Sequence, residues 1–287
     1  MVLMGRNFYK QIFECYQKIK EVQDDAVLEK LDKLIEKVEI SIQNRNREYQ
    51  EVYSVIHEIR LYDFLQRNNI SVRMSSDKVA GPDFECDFGY IECVSITKGE
   101  GKNKKAFENA MSNSINRYKT GETRITSVLS EKKSKYEKYI VNKNIDITKP
   151  RIIAVSTSIL SNEVHHELST TLMQKILFGI DTPVVSVKKQ GVNTISSEEL
   201  YLYNDITKGN NKEFKSAYFM DDDFKNISAV ILNHNAFTED INKAYFEIYL
   251  NPNANVPINI SKIQNFNYFF LKSISNDEMI FGWKQNR

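Results

Sequence analysis

Apolar positions recur in steps of three and four through the first part of the chain. In AVLEKLDKLIEKVEISI, Leu28, Leu31, Ile35, Val38 and Ile42 make such a series. This is the stripe of an amphipathic helix with coiled-coil character. The repeat covers only about two heptads, where a coiled coil needs three or four. It predicts a helical hairpin packed on its own domain, with a homodimer through the N-terminal helices as the alternative. Helix is predicted almost throughout residues 8 to 66. In QEVYSVIHEIRLYDFLQRN the buried face is marked by Val52, Val55, Ile56, Ile59 and Tyr62, and RNN ends the helix.

The period then changes to two. Residues Ile70 to Met74, PDFECDF and YIECVSI predict three strands, the last two joined at a tight turn at Gly89. Residues 97 to 122 are polar and contain Gly99, Gly101 and Gly121, which predicts a loop with one short helix. A helix is expected from Thr123 to Lys143, with Ile125, Val128, Leu129, Tyr136, Tyr139 and Ile140 inward. RIIAVST reads as a buried strand. Further on come a helix over Glu167 to Phe178 and strands at Val184 to Val187, Ser228 to Leu232 and Tyr245 to Leu250, with a polar loop over 188 to 225. Helices interleaved with strands predict an α/β fold. The expected layout is an N-terminal helical segment (1–48), a core (49–160) and a C-terminal α/β extension of the same domain (161–287).

Alternation in PDFECDF sets Phe84, Cys86 and Phe88 against Asp83, Glu85 and Asp87, and Glu92 shares a face with Val94 and Ile96. A carboxylate on an apolar face needs a cation or hydrogen bonds. A metal ion or a buried lysine or arginine would serve. Glu58, three residues after Val55 and four before Tyr62, borders the inward stripe of its helix. Three acids, Glu58, Asp83 and Glu92, can thus gather at one end of a sheet, and Mg²⁺ or Mn²⁺ takes oxygen ligands of this kind.

This order resembles the signature of the PD-(D/E)XK nucleases, the restriction-endonuclease-like superfamily. The matching residues are Glu58, Pro82-Asp83 and Glu92-Cys93-Val94. GPDF, IEC, RITSVLSEKKSKYEKY, RIIAVST and NPNANVP look like the blocks of a bacterial branch of it, over about residues 55 to 258. The resemblance implies a restriction-endonuclease-like αβββαβ core with a mixed central sheet. It also implies nuclease activity on nucleic acid, DNA in the first place, with Mg²⁺ or Mn²⁺ held by Asp83, Glu92, the Cys93 carbonyl and Glu58. The chain departs from the pattern at Val94, where the family has its lysine. Either activity is lost and a binding protein remains, or the lysine comes from elsewhere.

Lys132 falls on the inward stripe of the 123–143 helix, between Val128 and Tyr136, with Lys135 next to it. Lys133, Ser134 and Lys138 point away. An inward lysine needs an anion, so Lys132, and after it Lys135, is the candidate for the displaced catalytic lysine. The alternative is a snorkelling lysine whose stem covers Tyr136.

Charge sharpens the picture only locally. Lys plus Arg is 39 and Asp plus Glu is 38, so the chain is no overall basic nucleic-acid binder. From Lys98 to Lys138, however, eleven basic residues face five acids. That patch, with Lys102, Lys104, Lys105 and a phosphate-gripping Arg124, suits a phosphate backbone. Its alternative is a solvated face. Three cysteines without a CxxC spacing predict a reducing cytoplasm and no zinc ribbon. No apolar run of about 18 residues predicts a membrane span.

Other motifs carry less. His57-Glu58 lacks the second histidine of HExxH, because residue 61 is leucine. His165-His166-Glu167 and Asp221-Asp222-Asp223 read as surface turns, and His234 as a strand-end residue. Phosphate-loop, dinucleotide and nucleophile-elbow motifs are absent from the sequence.

Overall fold

The structure is a computed structural model. It describes residues 50–75, 80–98, 101–111, 114–160, 166–180, 184–190, 193–199, 205–207, 213–235, 246–274 and 279–284, with a few positions before residue 50. Most of the predicted 1–48 helical segment, including Leu28, Leu31, Val38 and Ile42, lies outside the described residues. Ile35 lies within them and is buried.

Helix α1 (Gln50–Arg67) buries Val55, Ile56, Ile59, Tyr62 and Leu65. It stops at Asn69, whose φ is 59°. The Ile70 N–H reaches the Leu65 carbonyl at 3.0 Å and the Asn69 N–H reaches that of Gln66 at 3.0 Å. These two hydrogen bonds satisfy carbonyls the helix leaves open, and asparagine accepts the left-handed conformation at modest cost.

Next come β1 (Val72–Met74), β2 (Phe84–Cys86) and β3 (Gly89–Ser95). The β2–β3 turn pairs Cys86 with Gly89. Gly89 has φ 145°, and a Cβ there would come within 2.4 Å of the Pro150 carbonyl oxygen. Glycine is therefore required by a close backbone approach as well as by the turn.

Where the sequence predicts a loop with one short helix over 97 to 122, most of the described residues belong to two helices. Helix α2 (Gly101–Met111) precedes α3 (Ser114–Val141), so α3 starts nine residues before the expected Thr123. Gly121 read as a breaker. It sits inside α3 instead, where a Cβ would be 2.9 Å from a Leu172 methyl. The glycine allows α3 to lie close against α4 (His166–Phe178). His166 thus opens a helix and is no turn residue.

β4 (Arg151–Ser156) follows α3 and is buried throughout. The expected strand at Val184 to Val187 is present and runs on into the predicted polar loop over 188 to 225, where two small antiparallel pairs form outside the main sheet. They are β5 (Val184–Gln190) with β6 (Asn193–Glu199), and β7 (Asp205–Thr207) with β8 (Glu213–Lys215). Strands β6, β7 and β8 lack the apolar alternation that marks a strand half-buried in a core. Asp221 caps a short 3-10 turn, accepting from the Asp223 N–H at 3.0 Å.

The main sheet is completed by β9 (Ala229–Asn233), β10 (Phe246–Leu250), β11 (Asn267–Ile274) and β12 (Met279–Lys284). Sequence patterning did not predict β11 or β12. The order is β1-β2-β3-β4-β9-β10-β11-β12, and the sheet is mixed, with β3, β4 and β9 parallel. The fold is therefore mixed α/β on an eight-stranded mixed sheet. Strands from both sides of residue 160 share it.

Each face of the sheet carries its own core. One face buries Phe84, Ile91, Cys93, Ile152, Ala154 and Ile231 with the inward residues of α1. The other buries Tyr90, Ile96, Ile153, Val155 and Val230 with Ile125, Leu129, Tyr136 and Tyr139 of α3 and the apolar side of α4. Alternation along β3 decides which residue meets which helix. Cys93 faces the α1 side, and Glu92 faces α3.

Candidate active site

Pairing between β2 and β3 ends at Phe84 and Ile91. Beyond it β2 departs, and the carboxylate of Asp83 takes the Cys93 N–H at 2.7 Å. The Asp83 backbone carbonyl accepts from the Ser75 N–H at 2.9 Å. Asp83 thus lies against the peptide that follows Glu92 and satisfies the N–H of that peptide.

Glu92 is fully buried, at 0 % exposure. Its Oε2 accepts from Lys132 Nζ and from Lys135 Nζ, each at 2.8 Å, and its Oε1 accepts from the Tyr139 hydroxyl at 2.8 Å. The three donors stand at i, i+3 and i+7 of α3, the spacing of one helix face. Tyr136, on the same face, aims its hydroxyl at the carbonyls of Tyr90 and Ile152, 2.9 and 2.8 Å away. That contact fixes the register of α3 over β3 and β4.

The energetics explain why three donors are present. A carboxylate removed from water costs several kcal/mol. Each hydrogen bond to a charged group returns roughly 1.5–3 kcal/mol. One lysine would balance the charge. Two lysines on one oxygen leave an excess of cation, which the charge of Asp83 partly answers. The Lys132 side chain is 12 % exposed and that of Lys135 41 %. Partial burial draws the Lys135 pKa down, but its hydrogen bond to Glu92 and the charges of Glu92 and Asp83 outweigh it, so the value lies above that of an ordinary lysine. Burial, then the Glu92 contact and charge, push the Tyr139 phenol upward.

The α1 side is quieter. Glu58 is half-buried on α1, across β3 from Glu92, and its charge acts on the Cys93 thiol. That thiol is raised well above its ordinary value, first by burial and then by Asp83 and Glu58, so it is an inert apolar group. His57 is fully buried. Its Nε2 lies 3.3 Å from the Ala154 carbonyl, and burial lowers its pKa to about 4.

The expected nucleic-acid residues are scattered along two helices. Lys102 and Lys105 are exposed on α2, and Lys104 is half-buried there. Arg124 donates from Nη2 to the Lys98 carbonyl at 3.2 Å, and its guanidinium lies 5.7 Å from the centre of the Phe107 ring. Part of its fork is therefore spent inside the protein. Lys133 does not simply point away. Its ammonium lies 3.0 Å from Glu137 and 5.7 Å from the Phe224 ring centre. Val94 is half-buried against the α3 core. Sequence reasoning missed Tyr139 as a ligand of Glu92, having read it only as part of the apolar stripe. Its place seven residues after Lys132 was the available signal.

Asp83 and Glu92 are hard oxygen donors of the type Mg²⁺ and Mn²⁺ use, and such ions keep several waters. Two carboxylates therefore suit the ion in kind. Among the described residues no three His, Cys, Asp or Glu side chains form a group able to hold a metal. Glu92 would have to release an ammonium to serve. Among the described residues no helix is long and apolar enough to cross a membrane. No protein-family model, curated protein or solved structure matches the chain.

Proposed function

We propose that the protein is a metal-dependent nuclease with a restriction-endonuclease-like core of the PD-(D/E)XK type, acting on phosphodiester bonds, in the first place those of DNA. The observation that carries this reading is the meeting of Lys132 and Lys135 with buried Glu92, beside Asp83. It supplies, from a helix, the lysine that Val94 lacks. Asp83 and Glu92 would hold Mg²⁺ or Mn²⁺, with the Cys93 carbonyl and Glu58 as further donors through water. When bound, such an ion activates a water and neutralises phosphate charge. Lys132, the better buried ammonium, would orient the attacking water and stabilise the charge that builds on the phosphoryl oxygens. Tyr139 holds the Glu92 carboxylate in one orientation. Lys102, Lys104, Lys105 and the free part of the Arg124 fork would meet the strand outside the centre.

The test is cleavage of plasmid DNA and of RNA by the purified chain with Mg²⁺ or Mn²⁺. Metal-dependent cleavage, lost in Asp83→Asn and Glu92→Gln while circular dichroism is unchanged, is the expected result. Equal cleavage by wild type and both variants would overturn it.

A second reading is a binding module without turnover. It is favoured by the full commitment of both Glu92 oxygens to α3. It predicts salt-sensitive binding of nucleic acid, or binding of a protein, with no cleavage under any metal.

A further inference from the structure

We infer that Lys135 is a latch on Glu92 which a nucleic-acid phosphate draws away, so that strand and divalent ion each raise the site's affinity for the other. The inference rests on the nuclease reading and concerns the regulation of the same site. Three observations lead to it.

First, two ammonium groups share one oxygen of Glu92, each at 2.8 Å. A cation approaching Oε2 meets a seat already taken twice, and two like charges held this close repel each other. Second, the two lysines are unequal. Lys132 is 12 % exposed and Lys135 is 41 % exposed, so Lys135 is the one that an anion arriving from solvent can reach. Its ammonium also lies 5.7 Å from the Tyr139 ring centre. Third, the stoichiometry fits an exchange. A phosphodiester brings one negative charge. Moving Lys135 from Glu92 to that phosphate leaves Glu92 with Lys132 alone and frees part of Oε2. No covalent bond changes, and the ion pair only exchanges its anion.

The consequence is heterotropic coupling. Without nucleic acid the centre holds divalent ions weakly. With a strand in place it holds one more tightly, and by reciprocity the ion tightens the strand by the same factor. Premature metal loading, and with it adventitious hydrolysis of small phosphate esters, is thereby suppressed.

The experiment is a Mn²⁺ titration of the full chain at constant ionic strength. Free Mn²⁺ is read by electron paramagnetic resonance, with and without a phosphorothioate DNA oligonucleotide that resists cleavage. Inorganic phosphate forms a separate arm, and Glu92→Gln provides the background for Mn²⁺ held by the DNA itself. The expected gain in wild-type Mn²⁺ affinity on adding DNA is about tenfold, within the usual range of coupling between two ligands. Lys135→Met should bind Mn²⁺ about that much more tightly without DNA and gain little from it. Inorganic phosphate should give a smaller gain, because it lacks the strand contacts. If wild type binds Mn²⁺ through Glu92 equally well with and without DNA, or if Lys135→Met is unchanged, the latch is wrong and the nuclease reading survives. If wild type binds no Mn²⁺ in either condition, both are wrong.

Discussion

Helix α3 contributes to two buried pairings of acid and lysine, and they are built differently. At one, Glu122 meets Lys175 of α4 at 2.8 Å, with both side chains 7 % exposed and the lysine 5.1 Å from the centre of the Tyr118 ring. Charge there is matched one to one and sealed. The ammonium approaches Glu122 Oε1 off the hydrogen-bonding direction, so the contact is an ion pair without full alignment. At the other, Glu92 holds two lysines and a tyrosine with good geometry, next to a further acid, and one lysine reaches solvent. A pair that only joins two helices needs neither a surplus cation nor an opening. The Glu92 cluster has both.

The largest effect should separate the two on stability. Lys175→Met leaves Glu122 buried without its cation, and chemical denaturation should register a loss of about 3–5 kcal/mol. Lys135→Met should cost less than about 1 kcal/mol, because that lysine is half in water and Lys132 remains. Equal losses would erase the distinction drawn above. Replacing both Glu122 and Lys175 by leucine should recover most of the stability, since removing a whole buried pair leaves no stranded charge.

Acid should act through the far side of β3. His57 has a pKa of about 4 in the fold against an ordinary 6.5. The unfolded chain therefore binds the proton first, and stability falls as pH drops from 6.5 toward 4. The contribution at stake is about 3 kcal/mol, read as the difference between wild type and His57→Gln in urea unfolding at successive pH values. A constant difference across that window would refute it.

Tyr139→Phe removes the donor on Glu92 Oε1. A loss of about 1.5–3 kcal/mol is expected, seen as a lowered Tm. An unchanged Tm would mean that the two lysines alone satisfy the carboxylate. The smallest effect concerns salt. The stability difference between wild type and Lys135→Met should shrink as NaCl rises, and that between wild type and Lys175→Met should not, because screening reaches only the exposed pair.

Much of this was legible along the chain. The change of period from helix to strand after residue 67 located α1, β1, β2 and β3 closely. Alternation in YIECVSI put Glu92 with Val94 and Ile96, and the helical stripe of α3 turned Lys132 inward. Other features were not legible. Gly121 has the appearance of a breaker, and only the approach of Leu172 shows why it lies within a helix. Lys133 falls off the apolar stripe, yet Phe224, from far along the chain, gives its ammonium a ring to cover. β11 and β12 join the sheet through pairing with β10 and with each other, which no local pattern encodes.

The sequence by itself determined the elements and their faces, because helical and strand periods and capping residues such as Asn69 act over a few positions. It left Glu92 with an unmet need for a cation. Only the tertiary structure decided what met that need, because Lys132 and Lys135 lie some forty positions away. Their approach depends on Tyr136 docking α3 across β3 and β4. Short-range periodicity can say that a charge is buried, and long-range packing decides which charge answers it.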